Sequence, residues 1–269
     1  MKIYKTDTDN IIFTGDIHGN FGIIYDTIKS NNLSDCCIIF CGDIGLGFDN
    51  AKAYKETFKW LTKTLRKRNI HLYFFRGNHD SKEFFDGKMF SQFKYVHVMP
   101  DYSVIQTPSR SILCVGGAIS IDRMVRIRKM DAAAKLYAEY FSYPTEAAYE
   151  HTRKTYWTDE INVYDENELD KLDSNYLKIN TVCTHTCPSF CSPTTKDGVK
   201  YWMEIDSELS KDLDYERNVC DKLLDYLRSH GHPIQNWYYG HYHAHNVEII
   251  DGIKYTMLDM SRKKMDLVH

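Results

Sequence analysis

The chain has 269 residues, of which 43% are hydrophobic and 26% are charged. These values exclude a wholly disordered, collagen-like or coiled-coil chain and suit one large α/β domain or two small ones. The 34 Lys and Arg against 37 Asp and Glu give a formal charge of −3, without the basic excess typical of nucleic-acid-binding proteins. We expect a cytoplasmic protein without membrane association, because neither a secretory signal nor a stretch of about 20 apolar residues is present.

The first part of the chain alternates apolar runs with amphipathic segments. Strands are predicted over residues 10–15, 36–41 and 71–75, and helices over residues 21–30 and 51–68. Such alternation is typical of βαβ units around a largely parallel sheet.

The pattern changes after residue 94. Three short runs (residues 95–99, 103–106 and 112–115) are separated by Pro-containing turns and predict an antiparallel meander. Residues 123–176 are polar, aromatic and mostly helical, which indicates an insertion or cap with helices over residues 130–140 and 166–176. The last part predicts strands over residues 178–183, 237–239, 247–250 and 254–258 and a helix over residues 205–230.

Eight cysteines are present, and we interpret them as reduced thiols in a chain that has enough core to fold without disulfides. Cys183, Cys187 and Cys191 recur at intervals of four, as metal ligands do. Because no second cysteine pair follows at zinc-finger spacing, we favour a structural role for them.

Polar residues capable of binding metals follow five of the predicted strands. These residues are Asp16 and His18, Asp43, Asn78 with His79 and Asp80, His185, and His241 with His243. In open α/β sheets, ligands bind in the crevice at the carboxyl ends of the strands. Each motif alone is also compatible with an ordinary turn or helix cap, but five together indicate a site for two divalent ions such as Mn, Fe, Zn or Ni.

The five motifs resemble the signature of the calcineurin-like metallophosphoesterase superfamily. They read GDIHG at 15–19, GDIGL at 42–46, GNHD at 77–80, THT at 184–186 and GHYH at 240–243. The resemblance implies a four-layer αββα sandwich, with residues 1–269 as one domain and residues 123–176 as a helical insertion. It also implies two divalent ions, with Mn favoured, and hydrolysis of a phosphate mono- or diester by a metal-bridging hydroxide.

The resemblance also implies a role for each site residue. Asp16, His18 and His243 would bind the first metal, Asp43 would bridge both metals, and Asn78, His185 and His241 would complete the second. His79 would protonate the leaving oxygen or stabilise the charge of the transition state. Asp80 would either orient His79 by a hydrogen bond or be a solvated loop carboxylate.

The chain departs from the Ser/Thr protein phosphatases of this superfamily. Their second motif continues with a phosphate-binding Arg that is missing here, and their third motif ends in Glu rather than Asp80. A cation for phosphate would therefore come from Arg76, Arg123 or Arg126, although each is equally compatible with a surface role. The stretches GGAISIDR at 116–123 and WTDE at 157–160 resemble a bacterial and phage subgroup.

Two other functions fit the same motifs. One is a non-catalytic binding scaffold that retains the fold, which the complete set of ligands and His79 disfavours. The other is a nuclease, in which the aromatic residues of the insertion would stack on bases. The overall charge does not indicate a nuclease, and aromatic residues at helical spacing more often belong to the hydrophobic core. The sequence leaves the substrate, the native metals, the oligomeric state and the role of the insertion open.

Overall fold

The computed structural model describes residues 1–149, 152–196, 198–261, 265 and 267–269. Its strands are β1 (Ile3–Lys5), β2 (Ile11–Thr14), β3 (Cys36–Cys41), β4 (Ile70–Phe75), β5 (Val96–Val98), β6 (Ser103–Gln106), β7 (Ser111–Val115), β8 (Thr181–Thr184), β9 (Asn236–Tyr239), β10 (Asn246–Ile250) and β11 (Ile253–Met257). Its α-helices are α1 (Gly22–Ser30), α2 (Ala51–Arg68), α3 (Arg123–Phe141), α4 (Thr145–Ala148), α5 (Glu166–Ser174), α6 (Val199–Ile205) and α7 (Leu209–Ser229).

These strands form two sheets. The smaller sheet has the order β2-β3-β4-β5 and is parallel throughout. The larger sheet has the order β1-β6-β7-β8-β9-β11-β10, and its β7-β8-β9 centre is parallel. Parallel strands carry their carboxyl ends to one edge of a sheet, so the loops after them meet there.

Three hydrophobic clusters define the layers of the fold. Between the sheets, side chains such as Phe13 and Tyr238 stack at 3.7 Å between ring centroids, and Cys41 and Cys183 fill the space as small apolar groups. The outer face of the small sheet packs on α1 and α2, and that of the large sheet on α5 and α7. This arrangement confirms the four-layer αββα sandwich. All eight cysteines are buried free thiols.

Helix α2 illustrates how the sequence specifies one outer layer. Tyr54, Phe58, Leu61 and Leu65 recur every three or four residues and form its buried stripe. Asn50 caps the helix by accepting a hydrogen bond from the backbone N–H of Ala53, and three basic residues complement the dipole at the last turn.

The predicted three-stranded meander is wrong in one part. Strands β6 and β7 do form an antiparallel hairpin, but β5 pairs in parallel with β4 and completes the other sheet. The run before Pro100 therefore belongs to the preceding βαβ pattern, and the chain changes sheets at Pro100 and Asp101. Strand β1 was not predicted; it pairs with β6 at the opposite edge.

Two further differences concern helices. The predicted helix over residues 205–230 corresponds to α7, which begins at Leu209, and α6 before it was not predicted. Between the two helices Asp206 is extended, and its carboxylate is held by Arg123. In the insertion, α3 begins at Arg123 and buries only Ala134 and Ala138, which pack against Ala148 of α4. Among the described residues, every helix is too short or too polar to cross a membrane.

Candidate metal centre and active site

The predicted site residues lie in the loops that follow β2, β3, β4, β8 and β9. Four of them that are not glycine adopt left-handed backbone conformations: His18, Asp43, His241 and His243, with φ between 45° and 71°. This conformation costs an L-residue roughly 1–2 kcal/mol. Such strain concentrates at functional sites, where the surrounding fold holds side chains in a fixed arrangement.

Two glycines allow the loops to approach each other. A Cβ atom at Gly77 would lie 2.1 Å from Asp43 Oδ1, and one at Gly42 would lie 2.2 Å from His185 Nδ1. The backbone carbonyl of Asp43 also accepts hydrogen bonds from the N–H groups of Ile17 and His18. The first three motifs and the His185 loop are therefore in direct contact.

Asp43 lies at the centre of the cluster. Its Oδ1 is 3.3 Å from His185 Nε2, and its Oδ2 is 3.8 Å from His18 Nε2 and 4.0 Å from His79 Nε2. Asp16 lies beside it, with Oδ2 3.1 Å from His243 Nε2 and 3.6 Å from His18 Nε2. Three overlapping groups of possible metal ligands result: Asp16, His18 and His243; His18, Asp43 and His79; and Asp16, Asp43 and His185.

Two buried carboxylates at the centre of this cluster fit a cation site. Asp16 and Asp43 have exposed fractions of 0% and 1%. Within the described part of the chain, their ion-pair partners are all histidines. Asp16 Oδ2 and His241 Nε2 are also buried without a hydrogen-bond partner in that part of the chain. Buried charges are normally paired or bound to metals, so the donor set suits two divalent ions.

Burial and neighbouring charges shift the pKa values of several groups in the cluster. Burial acts to raise the pKa of Asp43, but His185 and His79 hold it well below its usual range. Burial acts to lower the pKa of His185, yet Asp43 and Asp16 raise it to about 9. Burial lowers the pKa of His79 to about 4, against the opposing effect of Asp43. Burial, with Lys196, also holds the pKa of His241 well below its usual value.

Asn78 and His241 lie beside these groups. Asn78 Oδ1 is 3.1 Å from His185 Nε2, so its carboxamide oxygen points into the cluster. The ring of His241 is 5.0 Å from that of His185, measured between centroids, and its backbone N–H donates to Asp16 Oδ1. All seven predicted metal ligands therefore come from adjacent loops.

Asp80 has a different role from both predicted ones. It is buried rather than solvated, and its carboxylate accepts hydrogen bonds from the backbone N–H groups of Ile44, Gly45, Leu46 and Gly77. Its hydrogen bonds to described residues therefore do not include the predicted one to His79. Asp80 ties the loop after β3 to the loop after β4, because buried backbone donors require an acceptor. Burial and the nearby Asp43 raise the pKa of Asp80 to about 7.

Arg76 is also placed differently from the prediction. It is 1% exposed, and its guanidinium donates to the Asp101 carboxylate and to the backbone carbonyls of Asp159, Glu160 and Ile161. These contacts hold the insertion against the third motif. The side chain supports the fold, and it does not line the pocket that contains His79, His241 and His243.

Arg123 is likewise bound to the protein. Its Nε lies 2.6 Å from Asp206 Oδ2, and its Nη1 lies 2.6 Å from Asp212 Oδ2. The hydrogen bond from Arg123 is the largest cause that lowers the pKa of Asp206. This pair joins the start of α3 to the α6–α7 break, so we expect Arg123 to contribute to stability rather than to substrate binding.

Replacing Arg123 with Gln should therefore destabilise the protein without raising KM. Hydrogen bonds to charged groups are worth about 1.5–3 kcal/mol, and we expect a loss of that size at pH 7. The pKa of Asp206 is lower in the folded protein than in the unfolded chain. The contribution of its ionised form to the free energy of unfolding is therefore complete above the unfolded pKa of about 3.9 and is lost as the pH falls through the folded pKa. Urea unfolding at pH 7 and below pH 4 measures the difference in the free energy of unfolding between the wild type and Arg123→Gln. An equal difference at both pH values would contradict this prediction.

Arg126 is the predicted cation that does line the pocket beside the predicted metal ligands. This pocket has a volume of about 320 Å³ and is lined by Asn78, His79, Ser120, Ile121, Asp122, Arg126, Lys196, Trp202, His241, Tyr242 and His243. Arg126 Nε is 2.7 Å from Asp122 Oδ1, which offsets part of its charge.

Lys196 was missed by the sequence analysis. Its Nζ is 3.3 Å from His241 Nδ1, and burial lowers its pKa against the opposing effect of Glu216. The residue stands in a loop between β8 and α6, inside no recognised motif, so the sequence carried no signal for it. Only the folded loop brings this ammonium group to the pocket.

Comparisons with known proteins address the family. The sequence matches the calcineurin-like phosphoesterase family over residues 10–256, and no curated protein matches it significantly. Similar solved structures include a dimetal phosphatase from Danio rerio (12% identity, 93% of this chain and 87% of that chain, TM-score 0.47). Another is a phosphopantetheinyl hydrolase from Mycobacterium tuberculosis (14% identity, 96% and 95%, TM-score 0.42). On the family match, which covers most of its length, the chain belongs to the calcineurin-like phosphoesterase family.

Proposed function

We propose that this protein is a metal-dependent phosphohydrolase whose substrate phosphate binds in the 320 Å³ pocket. The observation that carries the proposal is the pair of buried carboxylates, Asp16 and Asp43, which lie among imidazoles. Those of His79 and His243 line that pocket. A buried cluster of this kind is costly unless cations occupy it. The family match is consistent with the proposal.

In this proposal the chain holds two divalent ions. The first would be held by Asp16, His18 and His243 and the second by Asn78, His185 and His241, and Asp43 would be shared by both. When bound, such ions lower the pKa of coordinated water and neutralise charge on phosphate oxygens. The left-handed backbone at His18, Asp43, His241 and His243 supports loops that the surrounding fold holds in a fixed arrangement.

His79 is the proposed proton donor to the leaving oxygen. Its backbone N–H donates to Asp43 Oδ1, and its side chain lines the pocket. Burial keeps the imidazole mostly neutral at pH 7, and a bound phosphate dianion favours its protonated form. A donor placed in this way assists departure of poor leaving groups most.

Replacing His79 with Ala should therefore slow hydrolysis of esters with poor leaving groups by about 10²-fold, the lower part of the range for general acid catalysis. Esters with good leaving groups should be affected much less. Bound Mn, measured by atomic absorption, should stay at the wild-type level. A parallel loss of metal would instead make His79 a ligand, as its place beside His18 and Asp43 allows.

The cations of the pocket favour a phosphate monoester. Lys196 and Arg126 both line it, and a monoester dianion carries one more negative charge than a diester. We expect Lys196→Met to lower kcat/KM for an aryl monoester by about 10-fold or more, the effect of roughly 1.4 kcal/mol. The same substitution should change kcat/KM for the matching diester much less, and equal losses would argue against this selectivity. Lys200→Met, at an exposed position on α6, is the matched control.

The function itself is tested with the purified full chain loaded with Mn²⁺. We expect chelator-sensitive hydrolysis of an aryl phosphate, faster for the monoester than for the diester. Preference for the diester would shift the substrate to phosphodiesters, including nucleic acids. Binding of two metals without hydrolysis of either substrate would favour the non-catalytic scaffold.

A further inference from the structure

A buried chain of hydrogen bonds leads from the insertion to Asn78. Asn78 Nδ2 donates to Ser120 Oγ at 2.8 Å, and Ser120 Oγ donates to Glu160 Oε2 at 2.6 Å. The backbone N–H of Ser120 donates to the other carboxylate oxygen of Glu160 at 2.8 Å. Asn78 is 1% exposed, and Ser120 and Glu160 are 2% exposed, so solvent does not compete for these bonds.

The direction of each bond fixes the orientation of the Asn78 carboxamide. Burial raises the pKa of the Glu160 carboxyl to about 8, and in the ionised form, which prevails above that pH, Ser120 gives its one hydroxyl proton to Glu160 Oε2. The hydroxyl oxygen therefore presents lone pairs to Asn78, and only the NH2 group of the carboxamide can donate to them. The carbonyl oxygen is thereby turned toward His185 and the metal cluster.

Glu160 is itself held by the residues around the third motif. Its backbone carbonyl accepts from the N–H of Ala118 and from Arg76 Nη1. At Gly117 the backbone is left-handed (φ 98°), and a Cβ there would lie 2.7 Å from the Glu160 carbonyl oxygen. The stretches at 116–123 and 157–160 thus meet around one carboxylate, a contact that neither stretch reveals alone.

We propose that Ser120 and Glu160 are positioning residues that hold the Asn78 carboxamide with its oxygen toward the second metal. The inference rests on the proposed role of Asn78 as a ligand. A carboxamide rotated by 180° would present its NH2 group to the cation and could not bind it. Partners that orient a metal ligand typically contribute 10–100-fold to metal affinity.

The experiment measures Mn²⁺ binding to the metal-free full chain by calorimetry above pH 8, where Glu160 is mostly ionised, together with the melting temperature. In Ser120→Ala and in Glu160→Gln, affinity for one of the two Mn²⁺ ions should fall by about 10–100-fold, and affinity for the other should stay near wild type. The double variant should lose little more than either single one, because both residues act through Asn78. The matched control is Ser103→Ala, which removes a buried hydroxyl bonded to the Pro100 carbonyl and should bind Mn²⁺ as the wild type does.

The other outcomes separate the two proposals. Wild-type affinity for both ions in Ser120→Ala and Glu160→Gln would overturn the positioning role and leave the proposed function standing. An equal loss at both sites with a large fall in melting temperature would make the two residues merely structural. Failure of the wild-type chain to bind Mn²⁺ would overturn the proposed function, and this inference with it. If Ser120→Ala does not fold, the isosteric Glu160→Gln decides alone.

Discussion

Replacing Asp43 with Asn should abolish most metal binding and lower activity by about 10³-fold or more, since metal-ion charge stabilisation is worth several kcal/mol and about 1.4 kcal/mol is tenfold. Asp43 lies within 4.0 Å of His18, His79 and His185, so removal of its charge weakens every arrangement in which two cations share the cluster. The amide has the shape of the carboxylate, and its oxygen can still accept the N–H of His79. The loss should therefore be electrostatic rather than a collapse of the loop.

Measurement of bound Mn together with the melting temperature of the metal-free protein distinguishes these causes. We expect Asp43→Asn to melt within a few degrees of the metal-free wild type while it retains little metal. Asp26→Asn, at an exposed position on α1, makes the same change in net charge and should have no effect. Wild-type turnover by Asp43→Asn would exclude Asp43 as the residue shared by both ions.

The site was predictable because its residues directly follow apolar strands. Asp16, Asp43 and Asn78 each come within a few residues of a fully buried strand end, so chain order alone places them at one edge of the fold. His185 and His241 follow β8 and β9, which lie side by side in the other sheet. The order of strands and polar residues along the chain therefore predicts the cluster.

The supporting contacts could not be predicted in this way, because they depend on groups distant in the chain. Arg76 was expected at the phosphate because Arg suits phosphate, but the backbone carbonyls that it binds belong to the insertion, more than 80 residues away. Lys196 stands in a loop without periodicity or motif. The parallel pairing of β5 with β4 was missed because short apolar runs between prolines fit either sheet.

Asp80 is the clearest example of a supporting contact that the sequence does not reveal. Replacing it with Asn should destabilise the protein. Each oxygen of its carboxylate accepts two backbone N–H groups, so an amide leaves at least two buried donors facing its own NH2 group. At about 1–3 kcal/mol for each unsatisfied group, two such groups cost about 2–6 kcal/mol in the free energy of unfolding. Loss of the charge also relieves the burial and the repulsion from Asp43 that raise the pKa of Asp80, so we expect a net loss in the lower part of that range. Urea denaturation at pH 7.5 measures it. The exposed Asp86, which accepts two backbone N–H groups through one oxygen, is the matched control, and Asp86→Asn should cost little.

The effect of Asp80→Asn on metal binding shows whether Asp80 acts by holding the two loops together or by orienting His79. The N–H groups that it binds adjoin Asp43 on one loop and Asn78 on the other, so their release should let both ligands move and should weaken Mn²⁺ binding. If Asp80 acted instead by orienting His79, metal content and stability would stay near wild type, and only esters with poor leaving groups would react more slowly. The same four hydrogen bonds satisfy buried backbone donors and hold the two loops together. We therefore expect Asp80→Asn to lose metal and stability together.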